Sequence, residues 1–155
     1  MDDRAGSVRL VPELDVADLR VSLEFYVELI GFRVLYERPA ERFAYLERDG
    51  AELMLQEAAG PGRRFRTAPL HQPFGRGVNF QLAVRDVDAI YRRVLAAGGT
   101  PVVEIEECWY EVDVTGGGAA RPRRTEAGNR QFVVADPDGY LWRPYLDLGV
   151  RTTEP

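Results

Sequence analysis

An internal repeat constrains this chain more than any other feature of it. Residues 77–99, GVNFQLAVRDVDAIYRRVLAAGG, slide back onto VPELDVADLRVSLEFYVELIG with Asp86 on Asp18, Val84 on Val16 and Gly99 on Gly31, a constant offset of 68 residues (86 − 18). A repeated unit has to be recognised before any local reading, because it sets the number and order of the elements. Each copy opens with an alternating segment, the pattern of a strand with one buried face, that ends in an Asp able to cap a helix. Apolar residues then recur at helical spacing (Leu19, Leu23, Tyr26, Val27, Leu29 in one copy; Val87, Ile90, Tyr91, Val94, Leu95 in the other), and a glycine closes each helix.

The remaining segments read as strands. Residues 8–16 alternate, although Pro12 cannot donate to a ladder and marks an edge, a bulge or a hinge. A helix over residues 18–30 is followed by GFRVLYERP, RFAYLERDG and AELMLQEA, three strands separated by turns at Pro39 and at Asp49-Gly50. Residues 57–76 have Pro, Gly and Arg without a usable period and form a connecting loop, expected to be ordered by its aromatics. The second copy continues with PVVEIEECWYEV and with RQFVVADPDGYLWRPYL, two strands across an Asp138-Gly139 turn. That turn matches Asp49-Gly50, and Phe132 matches Phe43, at an offset of 89 (138 − 49). The excess of 21 residues (89 − 68) falls on TGGGAARPRRTEAGN, expected to be a mobile loop. The expected fold is α+β: a single domain over residues 1–155, made of two tandem βαβββ modules at about 8–57 and 77–147 joined by a loop at about 58–76.

Composition narrows the function classes. At 155 residues and 45% hydrophobic the chain can bury one core, or two small modules sharing one. A formal net charge of −5 argues against nucleic-acid partners, which require a basic surface. The single cysteine, Cys108, excludes an intramolecular disulfide. No run approaches the ~18 apolar residues of a spanning helix, and no membrane partner is expected. The start MDDRAGS is acidic where a signal peptide is basic and then apolar, so a cytoplasmic protein is expected.

The words VPxLxVxDLxxSLxFY, RDGAELML, GVNFQLAVRDVD and QFVVADPDGY, in this order across residues 8–147, resemble the vicinal oxygen chelate superfamily of glyoxalases, dioxygenases and bleomycin-resistance proteins. The block RFAYLERDGAELML, GRGVNFQLAV and a WY ahead of GNRQFVVADPDGYLWR lean toward the bleomycin-resistance branch. The resemblance implies curled mixed sheets around a cleft, and a homodimer that pairs modules of different chains. In catalytic members four positions supply metal ligands; carried over residue by residue, those positions hold Val11, Met54, Asn79 and Arg143. Valine has no donor atom, thioether is soft, an amide is weak and guanidinium is a fixed cation, so neither metal nor other cofactor is expected.

Strand alternation puts Leu10, Leu14, Leu53, Leu55, Phe80, Leu82, Val84 and Trp142 on a core face, and Arg9, Glu13, Glu52, Gln56, Asn79, Gln81 and Arg143 on a polar, ligand-facing one. Tyr36, Phe43, Trp109 and Tyr110 are placed around its mouth, where their resemblance counterparts stack on flat rings, and Glu52, Met54, Asn79, Gln81 and Arg143 complete the ligand-binding set. Packing is the competing role for the aromatics. Glu104, Glu106, Glu107 and Glu111 could form an acidic rim, and Arg63, Arg64, Arg66 and Arg121–Arg124 could reach an anion, unless both clusters are simply solvated. Glu13 with Glu52 is the only carboxylate pair on the polar face; Cys108 lacks a histidine partner, His71 lying in the connecting loop. The function expected is a metal-free protein that sequesters an aromatic or heteroaromatic small molecule, such as a bleomycin-type glycopeptide, in a dimer cleft. The alternatives are an enzyme of the same superfamily, which the missing ligands argue against, and a metabolite-binding accessory domain.

Overall fold

The computed structural model describes residues 10–112 and 124–153. Two four-stranded sheets are present, and the chain divides into two compact units. The first takes in the chain up to Asn79 together with Ala135–Leu141; the second is Phe80–Val134 with the chain from Trp142 onward.

In the first unit β1 (Glu13–Val16) is followed by α1 (Leu19–Leu23), which widens into π-type turns over Glu24–Ile30. The Asp18 carboxylate accepts the N–H of Val21 at 3.0 Å and so caps the helix as expected. The widened register brings Phe25, Tyr26 and Ile30 onto one buried side, and Gly31, at φ +91°, ends the helix with its N–H on the Tyr26 carbonyl. Next come β2 (Arg33–Arg38), a 3-10 turn at Pro39–Glu41, β3 (Phe43–Arg48) and β4 (Ala51–Glu57), in the sheet order β1-β4-β3-β2. Asp49 and Gly50 both have positive φ, the backbone of a tight hairpin turn whose twist suits the strands. β1 runs parallel to β4; the other pairs are antiparallel. Alternation then buries Leu14, Val16, Ala44, Leu46, Leu53 and Leu55 toward the helix.

The first strand is shorter than its alternating pattern. It starts at Glu13, because Pro12 contributes only its carbonyl, to Met54 N–H at 2.8 Å, and Leu10 is 82% exposed rather than part of the core.

The turn Ala135–Leu141, which the repeat assigns to the second module, is built into the first unit. Both Asp138 carboxylate oxygens accept the Ala17 N–H at 3.1 Å, and Gln72 Nε2 donates to Asp138 as well. Asp136 accepts from the Tyr26 hydroxyl at 2.6 Å and from the N–H groups of Asp138 and Tyr140. Burial, followed by the charges of Asp15, Asp136 and Asp138, pushes the Tyr140 phenol up to about 12, so it stays protonated and donates to the Asp15 carbonyl at 3.0 Å. Gly75 is required here: a Cβ on it would lie 2.3 Å from the Gly139 carbonyl and the Tyr140 backbone.

The second unit is built on β5 (Asn79–Ala83), α2 (Val87–Ala96), β6 (Val103–Val112), β7 (Arg124–Ala135) and β8 (Leu141–Thr153), in the order β5-β8-β7-β6, with the strand ends Asn79, Ala135 and Leu141 falling in the first unit. Its core combines Val87, Ile90 and Val94 of α2 with Leu82, Val84, Phe132, Val134 and Trp142. Phe80, half-buried, stacks on Trp142 at 4.9 Å. Two local expectations change. The Asp86 side chain does not cap α2 but lies 3.8 Å from Arg93, and the left-handed residue after the helix is Gly98 rather than Gly99. Part of the expected mobile loop is strand: Arg124–Asn129 belong to β7, with Thr125–Asn129 paired to Cys108–Val112, while residues 113–123 lie outside the described residues.

Burial holds the Asp136 carboxyl above its usual range against the hydrogen bonds that lower it. A group whose folded pKa exceeds its unfolded one binds more protons when folded, so its contribution to stability falls as pH rises from about 4 through that raised value. Asp136→Asn has no charge to bury. The difference in unfolding free energy between Asp136→Asn and the parent, measured by urea denaturation between about pH 4 and about pH 7, is expected to move in favour of the variant as pH rises.

Candidate functional site

In the first unit, the sheet face away from the helix is set out in cross-strand rows. One row is Glu13, Met54, Tyr45 and Tyr36; the next is Asp15, Gln56, Phe43 and Arg38. Tyr36 and Tyr45 stack at 5.0 Å, and the Tyr45 hydroxyl donates to the Glu52 carboxylate. Tyr36 is half exposed on the edge strand β2. Phe43 differs sharply: only 2% is exposed, and the Arg38 guanidinium, 3.3 Å from Glu41, covers its ring at 3.9 Å.

The connecting loop lies against this face, held by arginines rather than by aromatics. Arg64 donates to the carbonyls of Glu57, at 2.9 Å, and of Glu41, at 3.3 Å. Arg66 binds the Asp15 carboxylate through two nitrogens, at 2.9 and 3.1 Å, and also the Ala58 carbonyl. Both side chains are thereby committed to holding the loop, and Arg63 stacks on Phe65 at 5.0 Å. Phe65 is 71% exposed. Loop and sheet enclose a cleft of about 440 Å³ lined by Glu13, Phe43, Met54, Gln56, Arg63 and Phe65, among others.

The second unit's open face is more polar. Arg143 Nη2 donates to Gln81 Oε1 at 3.1 Å, while its Nε is buried with no partner among the described residues. Gln131, 4% exposed, donates to the Tyr110 hydroxyl at 3.1 Å and leaves its Oε1 without a partner among those residues. Cys108 lies beside them, paired across the strands with Asn129. A hydrogen bond to Glu106, reinforced by burial, raises its thiol pKa against the opposing influence of Tyr110 and Gln131, so it is not an activated nucleophile.

Of the predicted set, Tyr36, Phe43 and Met54 share the first floor with Glu52 at its Tyr45 end, and Gln81, Tyr110 and Arg143 belong to the second; Asn79 is exposed where β5 begins. Trp109 does not join Tyr110. Adjacent strand residues point to opposite faces, and Trp109 sits over Gly128 with the Arg151 guanidinium 3.9 Å above its ring. The acidic rim is divided as well: Glu104 accepts from Tyr91, Glu107 lies 3.6 Å from Arg130, and Glu106 faces Cys108. Tyr45, Phe65 and Gln131 were missed as site residues. Period-two alternation from Phe43 reaches Tyr45, whereas no periodicity places a loop residue such as Phe65.

Two βαβββ units with open polar-aromatic floors define a glyoxalase-type scaffold. The profile of the Glyoxalase/Bleomycin resistance protein/Dioxygenase superfamily matches residues 12–143, and the chain belongs to that superfamily. It is 28% identical over 137 residues, 86% of this chain and 79% of the relative, to the uncharacterised protein Mb0911c of Mycobacterium bovis. Among solved structures it is similar to TioX from Micromonospora sp. ML1, with 25% identity, a TM-score of 0.64 and coverage of 91% of this chain and 99% of that one. The virulence protein STM3117 from Salmonella typhimurium shares the fold at 17% identity, with a TM-score of 0.63 and coverage of 90% and 96%.

The superfamily's catalytic members use a divalent metal, and the donors here do not fit one. Val11 offers no donor atom, Met54 a soft thioether and Arg143 a cation already bonded to Gln81. Among the described residues no three His, Cys, Asp or Glu side chains are grouped to hold an ion.

Phe43 is packed, so Phe43→Ala is expected to cost about 3–5 kcal/mol of stability, whereas Tyr36→Ala should cost only about 1 kcal/mol; urea unfolding of both variants checks this. Cys108 is expected to react with iodoacetamide at pH 8 more slowly than a thiol of ordinary pKa, and Glu106→Gln to speed it.

Proposed function

We propose that this protein binds and sequesters a small aromatic or heteroaromatic molecule without a metal, in the manner of a bleomycin-resistance protein, as a cytoplasmic homodimer. The observation that carries the reading is Arg143, bonded to Gln81 where the superfamily's catalytic members place a metal-binding carboxylate. A guanidinium there turns a metal floor into a donor fork for a ligand's acceptor groups. Exposed aromatic surface on Tyr36 and Tyr110 supports stacking on a flat ring. Val34, Leu35 and Tyr36 expose apolar surface on the edge strand β2, which supports association with a second copy. An antibiotic of the bleomycin type is one candidate ligand. An enzymatic reading finds no support at Cys108, whose thiol is held protonated.

Native mass spectrometry of the purified protein reports oligomer, metal and retained ligand together. A dimer is expected, with well below one equivalent of metal after incubation with Zn, Ni, Mn or Fe; a stoichiometric metal would overturn the reading. Arg143→Ala is expected to weaken anionic aromatic ligands and to spare cationic ones in calorimetric titration.

A further inference from the structure

We infer that the cleft of the first unit selects planar heteroaromatic rings by a lactam-type edge, an adjacent N–H donor and C=O acceptor, read by Gln56 while Phe65 covers the ring. This rests on the proposed aromatic-binding function and adds the chemical class of the ligand.

Gln56 is 5% exposed, lines the cleft, and has no side-chain hydrogen-bond partner among the described residues. Its amide atoms are not among the fully buried unpartnered ones, so the amide opens into the cleft, where water or a ligand's N–H and C=O completes it. Its own row explains why the sheet does not. Asp15 on one side is bound to Arg66, and on the other side stands the ring of Phe43 under Arg38. The carbonyl and NH₂ of one amide match, in reverse order, the N–H and C=O of a lactam, and a paired edge of this kind is discriminating because an analogue that lacks it leaves the protein's polar group unpaired.

Phe65 supplies the second half of the argument. It is a large apolar side chain, 71% exposed, on a loop that two arginines hold in position over the cleft. Phe43 is closed to stacking by Arg38, whereas Phe65, with Arg63 5.0 Å from its ring on one face, is 71% exposed and offers a ligand the other face. Glu13, also lining the cleft and without a partner among the described residues, accepts from any further N–H the ring carries.

The test uses full-length protein and three rings of similar size, 2-quinolone, N-methyl-2-quinolone and quinoline, titrated by ligand-observed NMR. The parent is expected to bind 2-quinolone about ten-fold or more tighter than the N-methyl compound, a difference of about 1.4 kcal/mol. Gln56→Leu should abolish that preference, and so should Gln56→Met, a side chain of similar length with neither amide donor nor amide acceptor. Phe65→Ala should weaken all three rings to a similar degree. Equal affinity of the parent for 2-quinolone and N-methyl-2-quinolone overturns the edge-recognition proposal while leaving an aromatic-binding protein. Preference that persists in Gln56→Leu also overturns it, and if that variant does not fold, preference persisting in Gln56→Met does so instead. Failure of all three rings to bind at millimolar concentration overturns the ring-binding cleft, and retention of a different aromatic ligand in native mass spectrometry would leave the broader function standing.

Discussion

Two buried carboxylates on one turn organise the first unit. Asp138 reaches the backbone at the end of β1 and the connecting loop at Gln72; Asp136 reaches Tyr26 in the helix and closes its own turn. Helix, first strand, loop and turn thus meet at side chains 5% or less exposed. Buried carboxylates are tolerated only where donors surround them, and here backbone N–H groups, a phenol and an amide provide them. The protonated Tyr140 phenol adds a tie to Asp15, the residue that also receives Arg66.

From Asp15 the same network extends to the open face. Arg66 holds the loop to the sheet edge and Arg64 holds it to the carbonyls of Glu41 and Glu57, so the loop becomes a wall of the cleft. Arginine suits this task because one planar guanidinium can serve several acceptors at once. The cleft consequently inherits its rigid parts from structural contacts and keeps Gln56, Glu13 and Phe65 available.

The two copies of the repeat differ at their floors. Glu13 and Met54 in the first copy correspond to Gln81 and Arg143 in the second, at the offsets of 68 (81 − 13) and 89 (143 − 54). Both copies keep aliphatic residues toward their helices, since apolar burial stabilises each unit whatever the floor binds. Polar floors carry no such requirement, so their residues can be exchanged without disturbing the sheet.

Much of this was legible in the chain. The repeat, the period-two and helical patterns and the two Asp-Gly turns determined the order of strands and helices, because those signals are local and each rests on backbone geometry. Membership of the superfamily followed from the same ordered motifs. Tertiary structure decided what depends on neighbours distant in sequence. It closed Phe43 under Arg38, turned Trp109 away from Tyr110 onto Gly128, and drew the Asp136 turn into the first unit. It also assigned Arg64 and Arg66 to holding a loop rather than to binding an anion. A residue type states which bonds it can make; only the fold brings up the partner with which it makes them.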